Sequence, residues 1–404
     1  MSVSGLRSAE PTAPGQRIEI LDLLRGFALF GMFIVHFHDH STDPGGVDDV
    51  VRTIIWRLIE SKAHGTFAVL FGAGFAIQLR RAEERGAPFA AIYFRRLAVL
   101  ALFGFAAHAF FGFNVLLGYA MWGVLLLAIR NWSSTALLVT AALSAISVAL
   151  FQLVLMWLWQ LTANADAVAA ALLAQQNAAT DVRAALDAAR TQSSYLVLLA
   201  ARLRHMAWFY RQPFFIMPNV TLALFIAGLL LIRHRVFEQP HAHRRLLAGM
   251  TAFGAASWLL DDWLLPEGFP YLGLLRDQWL TFTYIGAALL IAASRPNLAW
   301  LAPVARAGRM ALTNYLLQIV TIDLLFSGYA LGLPPLRPLV GFPIAVTCFA
   351  IELVISTLWL QRFVFGPAEW LWRSATYGRL QPLRRMPAPV TVGQPDGGHD
   401  VSRA

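Results

Sequence analysis

Charge is the feature that this sequence lacks most clearly. Only 14% of its 404 residues are charged and 58% are hydrophobic, whereas soluble proteins carry about 25% charged residues. Apolar runs of about 20 residues, the length of a helical membrane span, recur along the chain. The alternating pattern of outer-membrane barrel strands is missing. The sequence therefore predicts an all-α, polytopic integral membrane helical bundle.

Lysine and cysteine are nearly absent. Lys62 is the single lysine and Cys348 the single cysteine. One cysteine excludes an internal disulfide and a cysteine-rich metal site. The formal charge of +9 comes almost entirely from arginine, and in a membrane protein we interpret it as a topology signal. The predicted partner is therefore the lipid bilayer, and no nucleic-acid partner is predicted.

A cleavable signal peptide is also missing. Residues 1–17 are mostly polar, and no small-residue cleavage site follows the first apolar run. We expect residues 1–17 to form a cytoplasmic tail. Residues 381–404 contain Pro, Gly and Asp with little to pack, which predicts a disordered cytoplasmic tail. Residues 18–380 then form a single membrane domain.

The apolar runs predict about ten transmembrane helices. These lie at residues 20–38, 64–80, 95–112, 115–131, 134–160, 213–233, 245–263, 277–294, 309–330 and 338–360. Arginines concentrate in every second short loop, which predicts that both termini are cytoplasmic.

An insertion at about 161–211 interrupts this plan. Residues 161–190 are rich in Ala, with Asp and Gln at helical spacing, and predict a soluble helix or helical hairpin on the outer face. Residues 190–211 are apolar but contain Arg202, Arg204 and His205. We interpret them as an interfacial helix or as part of an outer-face subdomain.

Two predicted spans carry arginine at one end and histidine deeper in. Arg25 precedes His36 by about 16 Å of helix rise, and Arg95 and Arg96 precede His108 by about 18 Å. Ionisable residues inside a span usually face the bundle interior and mark a site. The simpler interpretation is that the arginines only set the topology and that His108 bonds a neighbouring helix.

Later spans add further polar residues. Asn314 and Gln318 lie one helical turn apart, Asp323 follows them, and Glu352 lies about 15 Å from Arg362. The two amides could stabilise an oxyanion or simply join two helices. Glu352 needs a partner or a proton at this depth.

A metal site is the weaker alternative for the first histidines. His36 and His40 share one helix face and could bind a metal together with His64. No cysteine and no second pair of this kind supports such a site, so no metal is predicted.

Arginine and histidine at these two depths suit an acyl-coenzyme A molecule. Arg25, Arg95 and Arg96 would bind its phosphates. His36 would take the proton of an acceptor hydroxyl or amine, and His108 would share that role or orient the thioester. Acyl-CoA would then be a co-substrate, with no permanently bound cofactor.

Five motifs occur in order and carry a family resemblance. The chain resembles the YeiB-like family, domain of unknown function 418, through "LDLLRGFALFGMFIVH" (21–36), "LFGAGFAIQLRR" (70–81), "FRRLAVLALFGFAAH" (94–108), "GRMALTNYLLQ" (308–318) and "FGPAEWLWRSATYGRL" (365–380). That family is bacterial, lies in the inner membrane and has no settled activity. Its first helix is similar to those of membrane acyltransferases, including polysaccharide O-acyltransferases and the lysosomal heparan glucosaminide N-acetyltransferase.

The resemblance also implies particular residues. The polysaccharide O-acyltransferases use an Arg, ten intervening residues and a His in the first helix, a spacing that falls here on Arg25 and His36. Most YeiB-like sequences have Asn at the position of His36 and Asp at that of Asn114, so this chain departs from its family at both. The family motif positions that it keeps are Arg25, Arg95, Arg96, His108, Asn314 and Tyr315.

Together these features favour a multi-pass inner-membrane acyltransferase. It would move an acyl group from cytoplasmic acyl-CoA to an outer-face acceptor, either an envelope glycan or a small molecule. A proton-coupled transporter that uses Glu352 and Asp323 is the first alternative, although no matching inverted halves are found. A non-enzymatic envelope scaffold is the second.

Overall fold

The computed structural model describes residues 18–42, 45–112, 114–162, 165–212, 217, 219–260, 278–294 and 298–385. Residues 1–17 and 386–404, which belong to the two predicted tails, lie outside these ranges. Residues 381–385, grouped above with the C-terminal tail, pair with the preceding segment: the Val364 amide donates to the Leu383 carbonyl oxygen at 2.8 Å.

The described chain is helical, as the sequence predicts. Its α-helices are α1 (Glu19–His38), α2 (Val47–Leu58), α3 (Lys62–Glu84), α4 (Phe89–Phe110), α5 (Leu116–Ile129), α6 (Ser134–Thr162), α7 (Ala165–Arg190), α8 (Tyr195–Phe209), α9 (Val220–Arg233), α10 (Arg244–Leu259), α11 (Trp279–Ser294), α12 (Ala302–Arg309), α13 (Ala311–Phe326), α14 (Pro338–Arg362) and α15 (Pro367–Tyr377).

Several helices are apolar enough for a membrane. Among the described residues, α1, α4, α14 and residues Ser134–Leu158 of α6 have the length and composition of a span, while α5, α9, α11 and α13 are apolar but shorter. Every predicted span overlaps a described helix, although residues 213–216, 218, 261–263 and 277 of these spans lie outside the described ranges. The number of spans and their orientation stay predictions, since α3 and α10 do not meet the same criteria.

Helix α1 lies at the centre of the bundle. Its apolar stretch is 67% buried, against 24–28% for α4, α6 and α14, because it packs against α3, α12, α13 and α14. The peripheral helices expose apolar side chains outward, as lipid-facing helices do.

Close contacts between helix backbones fix two helix pairs. A Cβ on Gly308 of α12 would lie 1.8 Å from the Asp22 carbonyl oxygen of α1, and a Cβ on Gly72 of α3 would lie 1.9 Å from the Phe225 carbonyl oxygen of α9. Only glycine permits such an approach. These contacts hold α1 and α3, both of which line the cavity described below.

The predicted span at 309–330 corresponds to α13, which begins and ends a few residues inside it, and a separate helix, α12, precedes it. Helix α12 ends at Arg309, and α13 begins at Ala311. The Glu369 carboxylate accepts the Leu312 and Thr313 amide N–H groups at 2.6 and 3.2 Å. These amides therefore have a partner outside the helix, and a new helix can begin here.

The predicted outer insertion contains two helices. Residues 165–190 form one helix, α7, and the 190–211 stretch forms α8. Arg202 of α8 is buried, forms an ion pair with Asp323 and donates to the Phe110 carbonyl oxygen. This contact gives Asp323 the partner that a buried carboxylate needs.

Candidate ligand-binding cavity

A cavity of about 340 Å³ opens between α1, α3, α4, α12, α13 and α15. Ligand sites occupy roughly 300–1,000 Å³. The cavity follows α3 from His64 to Arg81 and Arg85, and the helix rises about 26 Å between His64 and Arg81. The cavity is therefore long, and its two ends differ in chemistry.

One end of the cavity is strongly cationic. Two carboxylates lie there, and both are engaged: Asp22 accepts from Arg25 at 2.6 Å, and Glu369 holds the start of α13. The excess of positive charge suits an anion, and guanidinium groups bind phosphates in bidentate fashion. The arginines that line the cavity are Arg25, Arg81, Arg85, Arg96, Arg309 and Arg373.

Aromatic side chains from α4 and α15 complete this arginine end. Tyr93, Trp372 and Tyr377 line the cavity. The Arg96 guanidinium lies 3.5 Å from the centre of the Trp372 ring, and the Trp372 indole N–H donates to the Arg96 carbonyl oxygen at 2.9 Å. This cation–π contact orients the charge and joins α15 to α4.

Glu369 holds α15 against α13. Besides the two amides it accepts the Thr313 hydroxyl at 2.5 Å. Burial raises the pKa of the Glu369 carboxyl above its ordinary 4.5, and the hydrogen bonds from Thr313 and Leu312 partly oppose that shift. The contact places Trp372 and Arg373, on the same helix, at the cavity.

The deep end of the cavity is formed by Met32, His64, Val115, Tyr119 and Tyr315. The Tyr119 hydroxyl donates to the His64 carbonyl oxygen at 3.0 Å, and the Tyr315 hydroxyl accepts the Val115 amide N–H at 3.2 Å. Both phenols are thereby fixed. His64 is half-buried and lines the cavity.

The predicted donor-binding arginines occupy different places. Arg25 and Arg96 line the cavity. Arg95 is exposed, and its guanidinium reaches the Thr376 carbonyl oxygen at 3.5 Å. Adjacent positions on α4 therefore direct one guanidinium into the cavity and the other to its outside.

Neither of the two predicted catalytic histidines lines the cavity. The His36 ring lies 6.0 Å from the Tyr315 ring, but His36 is not a cavity-lining residue, and its buried Nδ1 has no hydrogen-bond partner within the described structure. His108 is buried beside α8, with its ring 5.9 Å from that of His205 and 5.6 Å from that of Tyr210.

Of the other predicted polar residues, only Tyr315 lines the cavity. Asn314 donates to Ser356 at 2.9 Å and to the Ala307 carbonyl oxygen at 3.1 Å. Gln318 donates to Glu352 at 2.9 Å and to the Leu29 carbonyl oxygen at 3.3 Å. These contacts form a polar layer between α13 and α14, called here the seam: Asn314, Gln318, Glu352 and Ser356.

Within the part of the chain that the structure describes, no group of three or more His, Cys, Asp or Glu residues has an arrangement that could hold a metal ion. In the proposed set of His36, His40 and His64, the His40 Nδ1 donates to the His36 carbonyl oxygen at 3.0 Å, and the His40 ring stacks on Phe326.

Sequence reasoning missed several residues of the arginine end. Arg81, Arg309, Glu369, Trp372 and Arg373 all lie inside the motifs quoted above. The sequence alone does not assign these arginines to a site, because arginines next to spans also follow from the positive-inside rule, and it does not predict α15 as a helix.

The apolar helices and this interior cavity define the class, a helical membrane protein. Residues 231–379 match the family described as "Protein of unknown function (DUF418)", and residues 17–187 match "Heparan-alpha-glucosaminide N-acetyltransferase, catalytic". These two matches confirm the predicted resemblance to the YeiB-like family and to the transmembrane acyltransferases. Both matched segments contribute residues to the cavity.

Curated relatives cover nearly the whole chain. The chain is 29% identical to "Uncharacterized protein YxaH" of Bacillus subtilis (strain 168), over 94% of this chain and 99% of the relative. It is 28% identical to an "Uncharacterized 39.9 kDa protein in amylase 3'region" of Bacillus acidopullulyticus, over 93% and 98%. It is 27% identical to "Uncharacterized protein YeiB" of Escherichia coli (strain K12), over 89% and 96%. No solved structure matches the chain.

Proposed function

We propose that the protein is a membrane acyltransferase that takes its acyl group from acyl-CoA bound in the cavity. One observation carries this proposal: a single cavity joins an arginine-lined end to an end with an imidazole and two phenols. The match of residues 17–187 to an acetyltransferase catalytic domain supports the same chemistry.

The two ends of the cavity suit the two ends of the donor. Coenzyme A carries its phosphates at one end, where six guanidinium groups would oppose them. Its slender pantetheine arm is uncharged, and the cavity wall along α3 between the two ends is lined by Phe67, Leu70 and Phe71. The thioester would then lie beside His64 and Tyr315.

Tyr315 is our candidate for stabilising the oxyanion. Its hydroxyl oxygen accepts the Val115 amide N–H, so its own proton points elsewhere and can be donated to a negatively charged oxygen in the cavity. The amides of Asn314 and Gln318 already donate to protein acceptors, which makes them less suitable for the role predicted from the sequence.

The membrane gives the reaction a direction. By the positive-inside rule the arginine end lies at the cytoplasmic face of the bacterial inner membrane, in a multi-pass protein. The donor then enters from the cytoplasm. The acceptor enters from the outer side and is an envelope glycan or a small molecule that carries a hydroxyl or amine group.

Calorimetry on the detergent-purified protein tests the donor. We expect acetyl-CoA to bind saturably and more weakly at high salt, and S-acetylpantetheine, which lacks the nucleotide phosphates, to bind at least about 100-fold more weakly. Each hydrogen bond to a charged group is worth about 1.5–3 kcal/mol. No binding of several acyl-CoA chain lengths to folded protein, or equal affinity for both compounds, would contradict the proposal.

A turnover assay separates this function from the alternatives. Slow release of free coenzyme A from acetyl-CoA, with water as acceptor, indicates an enzyme. Counterflow of a solute across proteoliposomes without coenzyme A binding would instead indicate a transporter.

A further inference from the structure

His64 occupies a position that no motif predicted. Of the described histidines, it alone lines the cavity. It lies at the end opposite the arginines, with Tyr119 and Tyr315, and the residue is half-buried. A histidine in contact with open space at the end of a ligand cavity can exchange a proton with a bound molecule.

The two histidines predicted as catalytic do not have this access. The His36 ring centre lies 6.0 Å from that of Tyr315, and His36 does not line the cavity. His108 has 1% of its surface exposed and packs against α8. Neither side chain lines the space that a substrate would occupy.

The backbone at His64 is held from two sides. Tyr119 of α5 donates to the His64 carbonyl oxygen at 3.0 Å. On the other side, a Cβ on Gly65 would lie 2.1 Å from the Gln278 side chain and 2.4 Å from Thr281, so the chain packs closely against these residues. A base held in this way needs little reorganisation when substrate binds.

We propose that His64 is the general base of the acyl transfer, an inference that rests on the proposed function. Its imidazole takes the proton of the acceptor hydroxyl or amine as the acceptor oxygen or nitrogen bonds to the thioester carbon. The carbon–sulfur bond then breaks, and the imidazolium returns its proton to the departing coenzyme A thiolate.

Turnover of acetyl-CoA in the His64→Gln variant tests the base role. General base catalysis contributes about 10²–10⁴-fold, so kcat for coenzyme A release should fall by that factor while the Kd for acetyl-CoA stays within about 2-fold. His234→Gln is the matched control, because His234 is exposed and bonds Ser134 outside the cavity. Wild-type kcat in His64→Gln would overturn the inference.

Labelling of the wild-type protein needs neither turnover nor a variant. Diethyl pyrocarbonate should carbethoxylate His64, detected by peptide mass spectrometry, and saturating acetyl-CoA should protect it while His234 stays reactive. An unreactive His64, or labelling unaffected by acetyl-CoA that calorimetry shows to be bound, would overturn the inference alone. A lack of acetyl-CoA binding would overturn the proposed function and the inference with it.

Discussion

The cavity and the seam both place polar side chains among apolar helices, but they differ in how those side chains are satisfied. In the seam the amides are bonded across helices, Asn314 to Ser356 at 2.9 Å and Gln318 to Glu352 at 2.9 Å. In the cavity, arginine, histidine and tyrosine side chains line a space of about 340 Å³.

Neighbouring residues on one helix show how sharp this division is. Asn314 and Tyr315 are adjacent on α13, yet Asn314 belongs to the seam and Tyr315 lines the cavity. Polar residues inside a membrane either join helices or form sites. Residue type does not decide between these two roles. The role of a polar residue is decided by its hydrogen-bond partners and by whether it lines a cavity.

The largest effect is expected where α12 meets α1. Gly308→Ala would place a Cβ 1.8 Å from the Asp22 carbonyl oxygen, so α12 must move and displace Arg309 from the cavity. Overpacking of this kind costs about 1–3 kcal/mol. We expect a lower melting temperature in detergent together with weaker acetyl-CoA binding.

Gly249→Ala is the matched control, because a Cβ on this helical glycine has no atom within 4 Å. Alanine there should leave the melting temperature unchanged or raise it slightly, since glycine inside a helix is unfavourable by about 0.5–1 kcal/mol. Equal melting of the two variants would contradict the close contact between α12 and α1.

Substitutions in the seam should change the stability of the protein and not its affinity for acetyl-CoA. Glu352→Ala removes one of the two acceptors of the Gln318 amide and leaves the Leu29 carbonyl oxygen. A hydrogen bond between membrane helices is worth about 1–2 kcal/mol at most, so the melting temperature of this variant should fall. Glu352→Gln can still accept the Gln318 hydrogen bond and should melt close to the wild type. Thermal unfolding and calorimetry on both variants check this.

Both Glu352 variants should bind acetyl-CoA within about 2-fold of the wild type, because the seam residues do not line the cavity. We expect the isosteric Glu352→Gln variant to keep all three measured properties. If it loses coenzyme A release while its acetyl-CoA affinity and melting temperature stay at wild-type values, a proton-relay role for Glu352, and therefore a transporter, would be favoured.

The smallest effect is a pH dependence at Glu369. Its pKa is raised by burial, so the folded protein binds this proton more tightly than the unfolded chain does. The contribution of Glu369 to stability is therefore largest below pH 4.5 and decreases as the pH rises through the folded-state pKa.

Glu369→Gln keeps an oxygen for the Leu312 amide and does not titrate. The melting temperature of the wild type, relative to this variant, should therefore be lower at pH 8 than at pH 5. A difference that stays constant or grows with pH would mean that the three hydrogen bonds to Glu369 outweigh its burial.

The helical class and the positions of the long helices could be predicted from the sequence, because apolar runs are a local signal. The start of α13 could also be predicted to within two residues, but its contact with Glu369 could not, because Glu369 lies 57 residues beyond Leu312 in the chain. Helix α15 was not predicted because it has only 11 residues and is too short for a membrane span.

The site was predicted only in part. The arginine–histidine spacing located Arg25 and Arg96 at the cavity, but helical arithmetic gives depth along a helix and not the direction of a side chain within the bundle. For that reason Arg95 could not be separated from Arg96, nor could the seam be separated from the cavity. His64 has no motif of its own and emerges only from the packing of α3 beside α5 and α13.

The comparison of Arg96→Ala with Arg95→Ala tests the central claim most directly. We expect Arg96→Ala to weaken acetyl-CoA binding by about 10- to 100-fold, the loss of a charge-assisted contact, and Arg95→Ala to change it by less than about 2-fold. Affinities for S-acetylpantetheine should be equal in both variants. Equal losses of acetyl-CoA affinity in the two variants, or none in either, would contradict a donor site at the arginine end of the cavity.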